Sequence, residues 1–185
     1  SENQVSNISP LAGLTNLQTL SISNNQIDDI SVLSGLRNLS ILALTGNPIS
    51  NINVLSELVN LSSLGLQYDN ISDISALSGL TNLSSLALTD NPISDISVLS
   101  GLTNLQYLYL WNNQISDISA LSGLINLSYL DLDDNQITNV SLADLPNLQT
   151  LHISNNQISN MSLSGLTNVS LLGLNNNKIS NIRAL

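Results

Sequence analysis

Cysteine and phenylalanine are absent from this 185-residue chain, and all aromatic residues together make up only 3% of it. Without cysteine there can be no disulfide and no thiolate metal site. Without phenylalanine the core must be aliphatic. Charge is also scarce, at 9% of residues, and positive charge most of all: Arg37, Lys178 and Arg183 stand against 13 acidic residues, for a formal net charge of -10. Three cations cannot neutralise a run of phosphates, so nucleic acid is excluded as a partner. An anionic membrane surface is disfavoured for the same reason. No apolar run is long enough to cross a bilayer, so membrane insertion is not expected. The chain starts at Ser-Glu-Asn-Gln with neither a basic nor an apolar leader segment, and no signal peptide is expected within it.

What the chain has in abundance is a period. Leu17, Leu39, Leu61, Leu83, Leu105, Leu127, Leu148 and Val169 mark its units, five steps of 22 residues followed by two of 21. Each unit reads L-x-x-L-x-L-x-x-N-x-I, then a polar turn and a second apolar stretch. The segment 105–126, LQYLYLWNNQISDISALSGLIN, shows it whole. The period defines a single domain over 1–185. A half repeat at 5–16 precedes full repeats at 17–38, 39–60, 61–82, 83–104, 105–126, 127–147 and 148–168, and a partial repeat covers 169–185.

Numbering each unit from its first leucine gives every position a physical task. Positions one, four and six (Leu105, Leu108, Leu110) point inward, with strand alternation between four and six. Ile115, Ile118, Leu121 and Leu124 close the core from the other side. Burial of each such side chain is worth roughly 1.5–3 kcal/mol, yet one unit cannot bury them alone, so units must stack. Position nine is Asn25, Asn47, Asn91, Asn113, Asn135, Asn156 and Asn177, an amide suited to satisfying a sharp turn and bridging units. Asp69 breaks this column and should weaken one bond. A second asparagine column (Asn16, Asn38, Asn60, Asn82, Asn104, Asn126, Asn147, Asn168) reads as a cap on the turn entering each strand. Position thirteen, as in Asp29, Asn51, Asp73 and Asp117, suits the N-cap of a short 3₁₀ turn. The 21-residue units lose one residue there (Val140-Ser-Leu142 against Ile118-Ser-Ala-Leu121), which predicts a tighter convex side. The fold expected is an α/β solenoid, a leucine-rich-repeat right-handed superhelix. Its concave side carries a parallel sheet of about eight short strands, and its convex side 3₁₀ turns and loops.

The units ISDISALSGLTNL, ISDISVLSGLTNL and ISDISALSGLINL resemble the repeats of internalin-like bacterial leucine-rich-repeat proteins, and the likeness runs over essentially the whole chain. The resemblance implies a secreted or cell-surface bacterial protein that holds a host or neighbouring protein on its concave face. The helical cap and immunoglobulin-like flank of internalins have no counterpart between Ser1 and Leu185, and the convex segment carries mostly Ser, Val or Ala. The partner itself is therefore not carried over.

Function must lie in the variable positions, because the repeated ones are scaffold. Positions two, three, five, seven and eight face the concave side. Most hold small residues, such as Ser62, Ser63, Gly65, Ser84, Ser85 and Ala87. Then Tyr107, Tyr109 and Trp111 occupy three, five and seven of one strand. Tyr129 and Asp131 lie on the next, with Asp133 and Asp134 at its end, and His152 follows at position five. Tyr68 stands two units back at position eight. Every aromatic residue and the one histidine thus fall on the face that the core does not use. Tyr and Trp give large contact area at low entropic cost, which suits a binding hot spot.

Asp131, His152 and Ser154 include the residue types of a hydrolytic triad. However, the last two share one strand and no oxyanion hole is apparent, so the chain is read as non-enzymatic. Asp131, Asp133, Asp134 and Asp90 read as a solvated acidic rim rather than a metal site, and no cofactor is implied. Asn-x-Ser triplets such as Asn60-Leu-Ser62 arise from the repeat itself and carry no separate meaning. The leading reading is a protein-binding module anchored by the aromatic patch. Two alternatives stand beside it: a glycan stacked on Trp111 and the tyrosines, and a structural segment with end-to-end self-association.

Overall fold

A computed structural model describes residues 3–140, 142 and 144–183; Ser141, Ala143, both ends of the chain and the side chain of Arg183 lie outside the described set. Within it the chain forms β1 (Thr19–Ser21), β2 (Ile41–Ala43), β3 (Ser63–Gly65), β4 (Ser85–Ala87), β5 (Tyr107–Tyr109), β6 (Tyr129–Asp131), β7 (Asn139–Val140), β8 (Thr150–His152), β9 (Asn160–Ser162), β10 (Leu171–Gly173) and β11 (Asn181–Arg183). Eight of these make one parallel sheet in the order β1-β2-β3-β4-β5-β6-β8-β10. Register never slips: Leu42, Leu64, Leu86, Leu108, Leu130 and Leu151 lie opposite one another from strand to strand. The leucines expected to point inward do so, and from Ile27 to Ile158 nearly all the repeat leucines and isoleucines are fully buried.

On the convex side six 3₁₀ turns, Ser9–Gly13, Ser31–Gly35, Asn53–Glu57, Ser75–Leu77, Ser97–Gly101 and Ser119–Leu121, occupy the 22-residue units and the half unit before them. The 21-residue units differ from expectation. Their convex segments are strands, and β7, β9 and β11 form a second parallel sheet in the order β11-β9-β7. The reason is reach. A 3₁₀ turn advances about 2.0 Å per residue and an extended chain about 3.3 Å, so a segment one residue shorter covers the same span by straightening.

Both minor columns act differently from their sequence reading. Asp29, Asp73, Asp95 and Asp117 sit one residue before the N-cap, and each accepts a hydrogen bond at Oδ1 from the backbone N–H two residues on, at 2.8 Å. That bond draws their carboxyls below the usual carboxylate range. Their contribution to stability is therefore complete above the unfolded-state value and is lost as pH falls through the lower native ones. In the straightened units the column loses this task, and Asn139 and Asn160 merely donate to the neighbouring Thr138 and Ser159 hydroxyls. The second asparagine column is not a local cap. From Asn38 to Asn168 each Nδ2 donates to a carbonyl of the preceding rung, as Asn82 to Val59 at 2.9 Å and Asn104 to Thr81 at 2.8 Å.

The position-nine amides behave as expected. Asn113 Nδ2 donates to the carbonyls of Leu110 in its own rung and Leu88 in the one before, both at 3.1 Å. Its Oδ1 accepts from the N–H of Ile93 at 3.2 Å. We expect Leu108→Ala to cost about 2–5 kcal/mol by leaving a cavity between rungs. Asn113→Ala should cost about 1–3 kcal/mol for each buried backbone group it orphans. Urea titrations of the two variants measure both.

Candidate binding face

The turn that leaves each strand decides which side chains reach the concave rim. Position eight takes a left-handed backbone in every full unit and in the final partial one: Asn24, Gly46, Tyr68, Asp90, Asn112, Asp134, Asn155 and Asn176 have φ between 53° and 71°. Asn, Asp and Gly tolerate this region, which is why they fill the column. Their side chains project at the rim and link along it. Asn176 donates to Asn155 Oδ1 at 2.7 Å, Asn155 donates to Asp134 Oδ2 at 3.1 Å, and Asn112 donates to Asp90 Oδ1. Sequence reading placed these residues on the concave side but missed the ladder. The signal was available in the restriction of position eight to residues that accept positive φ.

The patch is built on β5, β6 and β8. Tyr107 lies opposite Tyr129 and Tyr109 opposite Asp131, while Asp131 lies opposite His152. The rings meet diagonally across the strands. Tyr109 and Tyr129 have centroids 4.8 Å apart at 37°, and Tyr129 and His152 lie 5.7 Å apart at 46°. Tyr107 stays outside this run and is 44% exposed, whereas Tyr109, Trp111, Tyr129 and His152 are half-buried. Alongside them Ala87, opposite Tyr109, and Thr89, opposite Trp111, are buried although they face the concave side.

Hydrogen bonds fix the edge of the patch. Trp111 Nε1 donates to Asp134 Oδ2 at 2.6 Å, and the same oxygen receives Asn155, so the indole is tied to the rim ladder. Asp131 Oδ1 accepts from the N–H of Asp133 at 3.1 Å, and Asp133 Oδ1 accepts from the N–H of Ser154. Burial pushes the Asp131 carboxyl above its ordinary value; repulsion from Asp133 and Asp134 adds to this, while the Asp133 N–H and His152 oppose it. Burial likewise raises the Tyr129 hydroxyl, reinforced by the neighbouring Asp131. Ser154 is buried. Among the described residues, no three His, Asp or Glu side chains converge closely enough to hold a metal ion.

One anticipated site residue stands apart. Tyr68 is 57% exposed on the rim at the end of β3, two rungs from Trp111, and does not join the stacked rings. Its left-handed φ of 58° makes it the bulky exception in a column of Asn, Asp and Gly. Such strain costs of the order of 1 kcal/mol or more for a branched or aromatic side chain.

Family models described as leucine-rich repeats in two copies match residues 1–35, 15–58 and 103–144. Single-repeat models match 79–100 and 147–169. The whole chain also superposes on internalin C2 of Listeria monocytogenes with a TM-score of 0.87 and 38% identity, covering 78% of that structure. The chain belongs to the internalin-like leucine-rich-repeat proteins. Another internalin, internalin F of Listeria monocytogenes, matches 97% of the chain at 33% identity and a TM-score of 0.75, with 61% of that structure covered. A leucine-rich-repeat protein of Leptospira interrogans matches 97% of the chain with a TM-score of 0.92 at 28% identity, with 48% of that structure covered. No curated protein sequence matches the chain. The scaffold of this internalin-like chain is thus shared with its relatives, whereas the face described above depends on its own non-repeated residues.

Replacing Tyr68 with Asn should stabilise the protein by about 1 kcal/mol, because Asn accepts the left-handed turn that Tyr resists. The midpoint of a urea titration reads this directly. A loss of stability would mean that the tyrosine ring repays its backbone strain through packing.

Proposed function

We propose that this chain is a non-enzymatic protein-binding module whose concave face grips its partner through Tyr107, Tyr109, Trp111 and Tyr129. Leucine-rich-repeat proteins are commonly protein-binding modules. The observation that carries the reading is the run of rings from Tyr109 through Tyr129 to His152 across three adjacent strands, with Trp111 tied beside it. A face this aromatic, in a chain with 3% aromatic residues, marks a contact surface better than a packing need, since the core below it is complete without those rings. Tyr109, Tyr129 and Trp111 are also held by ring contacts and by the bond to Asp134. A partner that docks on them loses less to side-chain ordering than it would on free rotors.

Charge narrows the partner. Asp131, Asp133 and Asp134 flank the rings, and no lysine or arginine stands at any concave position of β4, β5, β6 or β8. A basic or polar protein surface is the complement, its guanidinium groups able to stack on the tyrosines and pair with the carboxylates. Kinship with bacterial internalins supports a secreted or cell-surface setting and a partner on a host or neighbouring cell. Among the described residues no helix is long and apolar enough to cross a membrane. Catalysis by Ser154 finds no support, because its side chain is buried and its backbone N–H is engaged by Asp133.

The variant Trp111→Ala/Tyr109→Ala should weaken partner binding at least about 100-fold while shifting the thermal midpoint by only a few degrees, as expected for hot-spot residues outside the core. Pull-down of surface proteins by wild type and variant, followed by titration of the captured partner, is the measurement. Equal affinity for both proteins would remove the patch from the interface. A glycan array run alongside separates the sugar-stacking alternative, which needs a glycan hit that the same double variant abolishes.

A further inference from the structure

The turn leaving β3 departs from its counterparts at two successive residues. At position eight Tyr68 takes the left-handed backbone that Asn, Asp or Gly takes elsewhere. At position nine Asp69 replaces the ladder asparagine and is only 6% exposed. Its Oδ1 accepts from the N–H of Asn47 at 2.7 Å. Its Oδ2 is buried with no hydrogen-bond partner. In the neighbouring rungs the second polar atom of this column is an amide nitrogen, and it donates to carbonyls. Asn91 Nδ2 donates to Leu66 at 2.8 Å and Leu88 at 3.1 Å, and Asn47 Nδ2 donates to Ile22 and Leu44. A carboxylate has nothing to donate in such a place, whereas a carboxylic acid has one O–H.

We propose that Asp69 is a proton-operated joint beneath Tyr68: the neutral acid donates to a carbonyl of the ladder and holds the turn, and the carboxylate releases it. The consequence for binding rests on the reading of the concave rim as a contact surface, because Tyr68 stands on that rim. Geometry gives the joint its leverage. An unpaired buried carboxylate and a strained left-handed tyrosine occupy adjacent residues, so the turn least favoured by its backbone is also the one whose anchor depends on a proton.

Burial pushes the Asp69 carboxyl up to about 7, opposed only by the Asn47 N–H. The residues in these columns around it are Gly46 and Asn47 on the rung before, Tyr68 on its own rung, and Asp90 and Asn91 on the rung after. Of these only Tyr68 and Asp90 are titratable. The charged pair of the adjoining convex turns, Arg37 and Glu57, is engaged with itself. The native protein therefore keeps this proton at pH values where the unfolded chain has already lost it. The contribution of Asp69 is most favourable below the unfolded-state value, declines as pH rises, and reaches its floor above about 7.

Carboxyl and aromatic NMR signals of the full chain, followed from pH 4 to 9, test the joint, with Asp69→Asn as the reference. That variant restores the residue of the column and should fold. We expect the Asp69 carboxyl to titrate near 7 and the Tyr68 ring signals to move with the same midpoint. Protection of amides 67–71, corrected for intrinsic exchange, should fall about tenfold between pH 5 and 8.5, and Asp69→Asn should show none of these changes. A carboxyl midpoint below 5, or Tyr68 signals and protection that ignore the transition, would overturn the proposal. Because no partner is present, the outcome is independent of whether Trp111 and Tyr109 form a binding surface.

Discussion

Each rung of this solenoid must turn sharply away from its sheet without abandoning the backbone groups that the turn buries. In every full rung but that of Asp69, one amide does this. Its nitrogen donates to carbonyls in its own rung and the one before, and its oxygen takes an N–H from the rung before. Leucines alone would stack in any phase that buried them. The amide fixes the phase, because donor and acceptor meet their targets only when equivalent positions lie side by side. Serine hydroxyls at position two and the second asparagine column add further rung-to-rung bonds of the same sense, as from Ser84 to Ser62 and from Asn82 to Val59. The strand register follows from this phase, and the concave face follows from the register.

A scaffold that fixes its interior so completely leaves its concave positions free to vary. Tyr107 and Tyr109 alternate with Leu108 on a three-residue strand, so they cost the core nothing. Placed on neighbouring rungs in perfect register, few residues suffice for a continuous run of rings. The rim ladder then restricts Trp111 through Asp134 and Asn155. The same asparagine- and aspartate-rich composition that builds the turns thereby also orders the aromatic patch.

The fold was legible because its information is repeated: a period of 22 or 21 residues and a leucine pattern at positions one, four and six whose exceptions, Ile22, Ile153 and Val169, are themselves aliphatic. The side on which Tyr107, Tyr109, Trp111, Tyr129, Asp131, Asp133 and His152 would stand followed from strand alternation, whereas Tyr68, at position eight, owes its place on the rim to the left-handed turn beyond β3. Other features did not follow. Loss of one residue at 140–142 was visible, but whether the segment would tighten or straighten depends on partners that exist only once several short units stack. The second asparagine column looked local because position in the chain does not reveal a bond 23 residues back. The Trp111–Asp134 bond depends on the left-handed turn at Asp134, which is written in the column as a whole and not in that rung.

The change from 3₁₀ turns to strands on the convex side has a mechanical meaning. Adjacent strands stand about 4.8 Å apart, while helical turns are broader and pry rungs open on their side. The rungs backed by 3₁₀ turns must therefore arc around the concave sheet. Those backed by β7, β9 and β11 have strand pairing on both sides, so that source of curvature is absent there. The aromatic cluster spans β5, β6 and β8, and so lies across the change from rungs backed by 3₁₀ turns to rungs backed by strands. One concave sheet thus carries the cluster over two kinds of backing, and its local curvature is set rung by rung by the length of the convex segment.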